Sequence, residues 1–106
     1  MEENSKEFRN EYNRYVLRLL VNEYYVSRPE LAKAADLSLG YVREFDNGTR
    51  DFGNAALDQF EEIINTKFEP LLMQHDYELS KVKEALKNVT NSEELEAFKL
   101  SLHDMI

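Results

Sequence analysis

Cysteine is absent from the 106 residues, which excludes disulfides and thiolate metal sites and is compatible with a reducing cytosol. Glycine and proline are scarce, with three and two copies, so the chain has few places to turn and favours helices joined by short loops. No run approaches the roughly 18 uninterrupted apolar residues of a membrane span. The N-terminal stretch MEENSKEFRNEYNRY is charged and lacks the apolar centre of a signal peptide. A soluble, cytoplasmic protein with no membrane partner is expected.

Positive charge is also in short supply. Thirteen Lys and Arg face 21 Asp and Glu, for a net charge of −8. Its distribution is uneven: residues 1–26 and 27–54 each carry four basic side chains against five acidic, whereas residues 55–106 carry five against eleven. Phosphate binding draws on Lys and Arg, and no strongly basic face stands out.

What is present is helical periodicity. Phe8, Tyr12, Tyr15, Val16, Leu19 and Leu20 fall at steps of three and four and predict an amphipathic helix from Ser5 to about Tyr24. Ser27 followed by Glu30 has the spacing of a capping box, and Pro29 falls in the first turn, where its missing N–H breaks no helical bond. A second helix therefore starts there and runs through Leu31, Ala32 and Ala35. Asp36-Leu37-Ser38 reads as a tight turn, with Ser38 capping a third helix, Leu39 to about Asp46. Asn47-Gly48 stops it, because both residues tolerate a left-handed backbone. Asn54 can cap a fourth helix with Ala56, Leu57, Phe60, Ile63 and Ile64 on its inner side.

Beyond residue 66, Pro70 sits just inside a predicted fifth helix. Leu72, Leu79 and Leu86, with Val82 and Val89, approximate an a/d stripe that His75 interrupts. The stripe suits either a core shared with the last helix or a subunit seam. That last helix starts near Thr90-Asn91-Ser92 and carries Leu95, Phe98, Leu102 and Met105. The expected organisation is a unit at 1–66 and a helical hairpin at 67–106, a candidate homodimerisation element.

Residues 27–50 read SRPELAKAADLSLGYVREFDNGTR. Ser27, Glu30-Leu31-Ala32, Leu37-Ser38, Val42, Asp46-Asn47-Gly48 and Arg50 match, without a gap, the helix-turn-helix of the Cro/repressor (xenobiotic-response-element type) family, which this segment resembles. The resemblance implies an all-α, lambda-repressor-like helix-turn-helix bundle, here with a two-helix C-terminal extension. It also implies a sequence-specific, DNA-binding transcriptional regulator whose third helix enters the major groove of double-stranded DNA. By position, Ser38, Leu39, Gly40, Arg43 and Glu44 would face bases, while Ser27, Arg28, Asn47, Thr49 and Arg50 would face the backbone. Leu39 and Gly40 cannot donate to guanine, and Glu44 can only accept, for example from a cytosine amino group. Asp46 suits a structural ion pair with a first-helix arginine such as Arg18.

Catalysis is not expected. His75 and His103 stand 28 residues apart with no metal-ligand spacing, and no GxSxG, P-loop or GxGxxG occurs. Glu61-Glu62 and Glu93-Glu94 are helix neighbours that point in different directions. No cofactor or metal is implied. An alternative keeps the helix-turn-helix and exchanges the partner: an acidic protein with an apolar and acidic third helix could bind a protein, as an antirepressor or an inhibitor of a DNA-binding protein.

Overall fold

The computed structural model describes the backbone of residues 1–105 and the side chains of residues 1–101. The helices are α1 (Lys6–Tyr24), α2 (Arg28–Ala35), α3 (Leu39–Asn47), α4 (Asn54–Thr66), α5 (Glu69–Leu72), α6 (Asp76–Lys87) and α7 (Ser92–Met105). A single 3-10 turn, Met73–His75, joins α5 to α6. Among the described residues there is no strand, so the protein is an all-α bundle.

The local signals explain most helix ends. Ser5, Ser27 and Ser38 accept hydrogen bonds from the backbone N–H of Phe8, Glu30 and Tyr41, each at 3.2 Å, three residues into their helices. Gly48 takes a left-handed backbone (φ 83°) and stops α3; the N–H groups of Thr49 and Arg50 fold back onto the Glu44 carbonyl. Asp36 stops α2 at φ 58°, a conformation its short polar side chain tolerates. The N–H of Leu37 then donates to the Ala32 carbonyl at 2.9 Å, closing the turn.

Two local expectations change. Gly53, not Asn54, is the N-cap of α4, and no side chain caps it. Tyr41 dictates this, because its hydroxyl accepts from the Gly53 N–H at 2.9 Å and fixes that residue as the entry to the helix. The fifth helix, expected to run unbroken from Pro70, is interrupted at Met73–His75. There the Tyr24 hydroxyl donates to the Leu71 carbonyl at 3.2 Å and lies 2.8 Å from His75 Nε2. These contacts tie the loosened turn to the end of α1.

The centre of the bundle is α1. It lies against α3, α4 and α6, and it buries not only Phe8, Tyr15, Val16, Leu17, Leu19 and Leu20 but also Asn10, Glu11, Asn13 and Arg14. A second hub stacks Phe45 on Phe52 (centroids 3.8 Å apart), with Phe60 beside both. The stripe residues Leu72, Leu79, Val82, Leu86 and Val89 are all buried, and α6 packs chiefly on α1 and more lightly on α7. One continuous core thus spans both sides of residue 66, and the surface suited to a subunit seam is covered by the chain's own first helix. Of the last stripe, Leu95 is half-buried and Phe98 buried, while the side chains of Leu102 and Met105 lie outside the described residues.

Candidate nucleic-acid interface

Helices α2 and α3 are joined by the sharp Asp36-Leu37-Ser38 turn, and each turns one side to the core. Leu31, Ala32 and Ala35 of α2 are buried, as are Val42 and Phe45 of α3. The small side chains of Ala32 and Ala35 let the two helices lie close. The opposite side of α3 is open: Ser38, Gly40, Arg43, Glu44 and Asn47 are exposed and Leu39 is half-exposed. Thr49 and Arg50 continue this surface beyond the helix, and Ser27 and Arg28 approach it from the start of α2. The ten residues singled out from the sequence therefore sit on exposed or half-exposed surface of one helix pair and its following loop.

Four cations belong to this segment, and they are not equally available. Arg28 Nε donates to Asp46 Oδ2 at 2.5 Å. Arg50 lies over the Tyr41 ring at 4.5 Å, with its guanidinium 3.5 Å from the Glu44 carboxylate. Lys33 and Arg43 are exposed and make no ion pair among the described residues. Arg43 projects from the middle of α3, so it is the cation freest to meet a partner at that helix. Ser27 and Asn47 spend their side-chain oxygens locally, on the N–H of Glu30 and on the N–H and hydroxyl of Thr49. Their remaining groups face solvent.

Gly40 has open space where a side chain would be, with no atom within 4 Å of an added Cβ. A glycine inside a helix is less stable than alanine by about 0.5–1 kcal/mol. Internal packing gives no reason for it here. The Gly40 backbone at the start of α3 is open to solvent.

The end of α3 is held from below by arginines of α1. Arg14 Nε donates to the Phe45 carbonyl at 2.6 Å and Arg18 Nη2 to the Asp46 carbonyl at 2.7 Å, both near the negative end of the helix dipole. Arg18 also stands 3.5 Å from the Asp46 carboxylate, the pair anticipated from the sequence. Arg14 goes further. Only 3% exposed, it pairs with Glu11, reaches Asp51 Oδ1 at 2.8 Å and lies 4.5 Å from the centre of the Phe45 ring. Asn10 completes the frame: its amide donates to the Phe52 carbonyl at 3.0 Å and accepts from the Phe52 N–H at 2.7 Å, binding the 49–53 loop to α1. Burial pushes the Glu11 carboxyl above the usual carboxylate range, and Arg14 beside it pulls the other way.

Sequence reasoning missed Asn10, Glu11 and Arg14. Polar residues in an amphipathic helix are read as its wet face, and here that face is also covered. One signal was available: Asn10, Glu11, Asn13 and Arg14 are the polar neighbours of the apolar stripe, placed to be covered if a third element packs on the helix.

The class of protein the fold defines is an all-α bundle with an exposed short-helix pair. Comparison with protein-family models, with curated proteins and with solved structures gives no match.

Proposed function

We propose that the protein is a DNA-binding regulator that presents α3 to the major groove and the start of α2 to the sugar-phosphate backbone. The observation carrying this reading is the division of α3 into two sides: Val42 and Phe45 locked into the core, Gly40, Arg43, Glu44 and Asn47 open together. An α-helix supported rigidly from behind and bare in front is the form that reads base edges. Arg43 supplies the donor suited to guanine, Gly40 permits close approach, and Arg28 lies at the α2 N-terminus, where helix amides favour a phosphate. Most of the excess acidic charge lies after residue 54, outside this surface.

The test is selection of bound sequences from a random duplex pool. An enriched motif whose recovery disappears with Arg43→Ala supports the reading. With Arg28→Ala, binding should weaken about equally across sequences, because a phosphate contact carries no base information. A flat selection from the folded protein refutes it.

A second reading is favoured by the pairing of Arg28 with Asp46 and Arg50 with Glu44, which removes half the segment's cations from service. On that reading the same surface binds a basic protein, as an inhibitor occupying a DNA-binding groove. It predicts no salt-dependent DNA affinity, whereas a DNA binder loses affinity steeply as salt rises.

A further inference from the structure

Six tyrosines are spread along the chain, and one of them stands against a base. Tyr24, in the last turn of α1, places its hydroxyl 2.8 Å from His75 Nε2, while the other ring nitrogen, Nδ1, lies 2.7 Å from Glu78 Oε2. A carboxylate only accepts, so in the neutral imidazole Nδ1 carries the proton and Nε2 keeps its lone pair toward the hydroxyl. Hydroxyl, imidazole and carboxylate in that order are the parts of an activated nucleophile whose base is oriented by a third group. The Tyr24 and His75 rings meet edge to face at 5.6 Å, and the His75 side chain is 17% exposed, so the base is held in place. The other contacts of the Tyr24 hydroxyl, the Leu71 carbonyl at 3.2 Å and Gln74 Oε1 at 3.5 Å, are also to acceptors. They compete for its one proton and leave the oxygen lone pairs uncommitted. Tyr24 is only partly buried, so that oxygen is within reach of a small reagent.

We propose that Tyr24 is a covalent modification site that accepts an acyl group from an activated donor of the acyl-phosphate type, with His75 as the base and Glu78 as the residue that positions it. The tyrosyl oxygen attacks the carbonyl carbon while its proton passes to His75 Nε2, leaving an imidazolium that faces Glu78. Collapse of the tetrahedral centre breaks the bond to the phosphate, which departs with the bonding pair, and His75 then releases the proton to solvent. The products are a tyrosyl ester, free phosphate and one proton. Exposure alone would select other residues. Tyr25 and Tyr77 are 88% and 72% exposed, and among the described residues neither hydroxyl has a base beside it; Tyr77 has only Lys81 over its ring. The inference stands apart from the DNA reading, since it concerns the junction of α1 with α6 and its test uses no DNA.

The experiment treats the full chain with a limiting amount of acetyl phosphate, quenches in acid, and quantifies acetylated tyrosines by peptide mass spectrometry. Tyr25 and Tyr77 serve as internal controls for exposure. The proposal expects Tyr24 to react at least about tenfold faster than either, a modest share of the roughly 10²–10⁴ that a positioned base contributes in an enzyme. His75→Gln should bring Tyr24 down to the rate of Tyr77 or below. Glu78→Ala should remove most of the advantage and also move the His75 ring proton off Nδ1, read from the 15N shifts of the imidazole. The Glu78 side chain is 55% exposed, so its variant carries the test if His75→Gln does not fold. Three results each overturn the proposal: Tyr25 or Tyr77 acetylated as fast as Tyr24, an unchanged Tyr24 rate in Glu78→Ala, or a neutral wild-type ring that carries its proton on Nε2.

Discussion

Replacing Arg14 by methionine tests how the surface of α3 is held in place. The substitution keeps an unbranched apolar stem and removes the guanidinium that pairs with Glu11, reaches Asp51 and donates to the Phe45 carbonyl. Asp51 is more than half exposed and returns to water at little cost, so the Glu11 side dominates. Removing one partner of a buried pair costs about 3–5 kcal/mol, because the other charge stays behind uncompensated. A domain of this size is stable by about 5–15 kcal/mol, and each kcal/mol moves Tm by roughly 4–8 °C. Arg14→Met should therefore lower Tm by at least about 12 °C in a helical circular dichroism melt, with a matching drop in urea midpoint. Replacing both members, Glu11→Leu with Arg14→Met, should recover a large part of that loss, since apolar groups of similar volume often substitute for a buried pair at little cost. The reasoning fails if Arg14→Met costs under about 1 kcal/mol, or if the double variant loses the sum of the single losses.

Other expectations follow from neighbouring contacts. Burial raises the Glu11 carboxyl above its ordinary value, so between the unfolded and folded pKa the native state holds the extra proton. Stability from this group is present below about 4.5 and is lost as pH rises through the raised folded value. Urea titrations at several pH values should show Glu11→Gln gaining on wild type as pH rises from 4.5 to 7; a constant difference would contradict the burial argument. Asn10→Ala strands both backbone groups of Phe52 and should cost about 2 kcal/mol or more in the same urea assay. Gly40→Ala, with open space for its methyl, should raise stability by about 0.5–1 kcal/mol while weakening partner binding. A gain in both would show that nothing approaches that helix closely.

The helix-pair frame was legible because its signals are local. Ser27 and Ser38 cap by reaching three residues ahead, and Gly48 is needed where the backbone turns left-handed. The break at Met73–His75 was not, since it follows from Tyr24, nearly fifty residues earlier, pulling on the Leu71 carbonyl and His75. The same holds for the frame under α3. Nothing adjacent to Asn10 or Arg14 in the sequence says that Phe52 and Phe45 will stand above them. Of the ten candidate residues, the exposure on one helix pair was readable and the state of the cations was not: Arg28 and Arg50 are occupied by Asp46 and Glu44, a matter of geometry that composition does not contain. The stripe from Leu72 to Val89 was visible as apolar, but periodicity does not name the surface it meets, and that surface is α1.

The central claim is that the open side of α3 meets DNA, and fluorescence anisotropy of a labelled duplex titrated at several salt concentrations tests it most directly. The account predicts binding at low salt that weakens steeply and log-linearly as salt rises, with Arg43→Ala reducing affinity while leaving the melting temperature unchanged. A folded wild-type protein that gives no anisotropy change at low salt, or an Arg43→Ala variant that binds every duplex as wild type does, would contradict it.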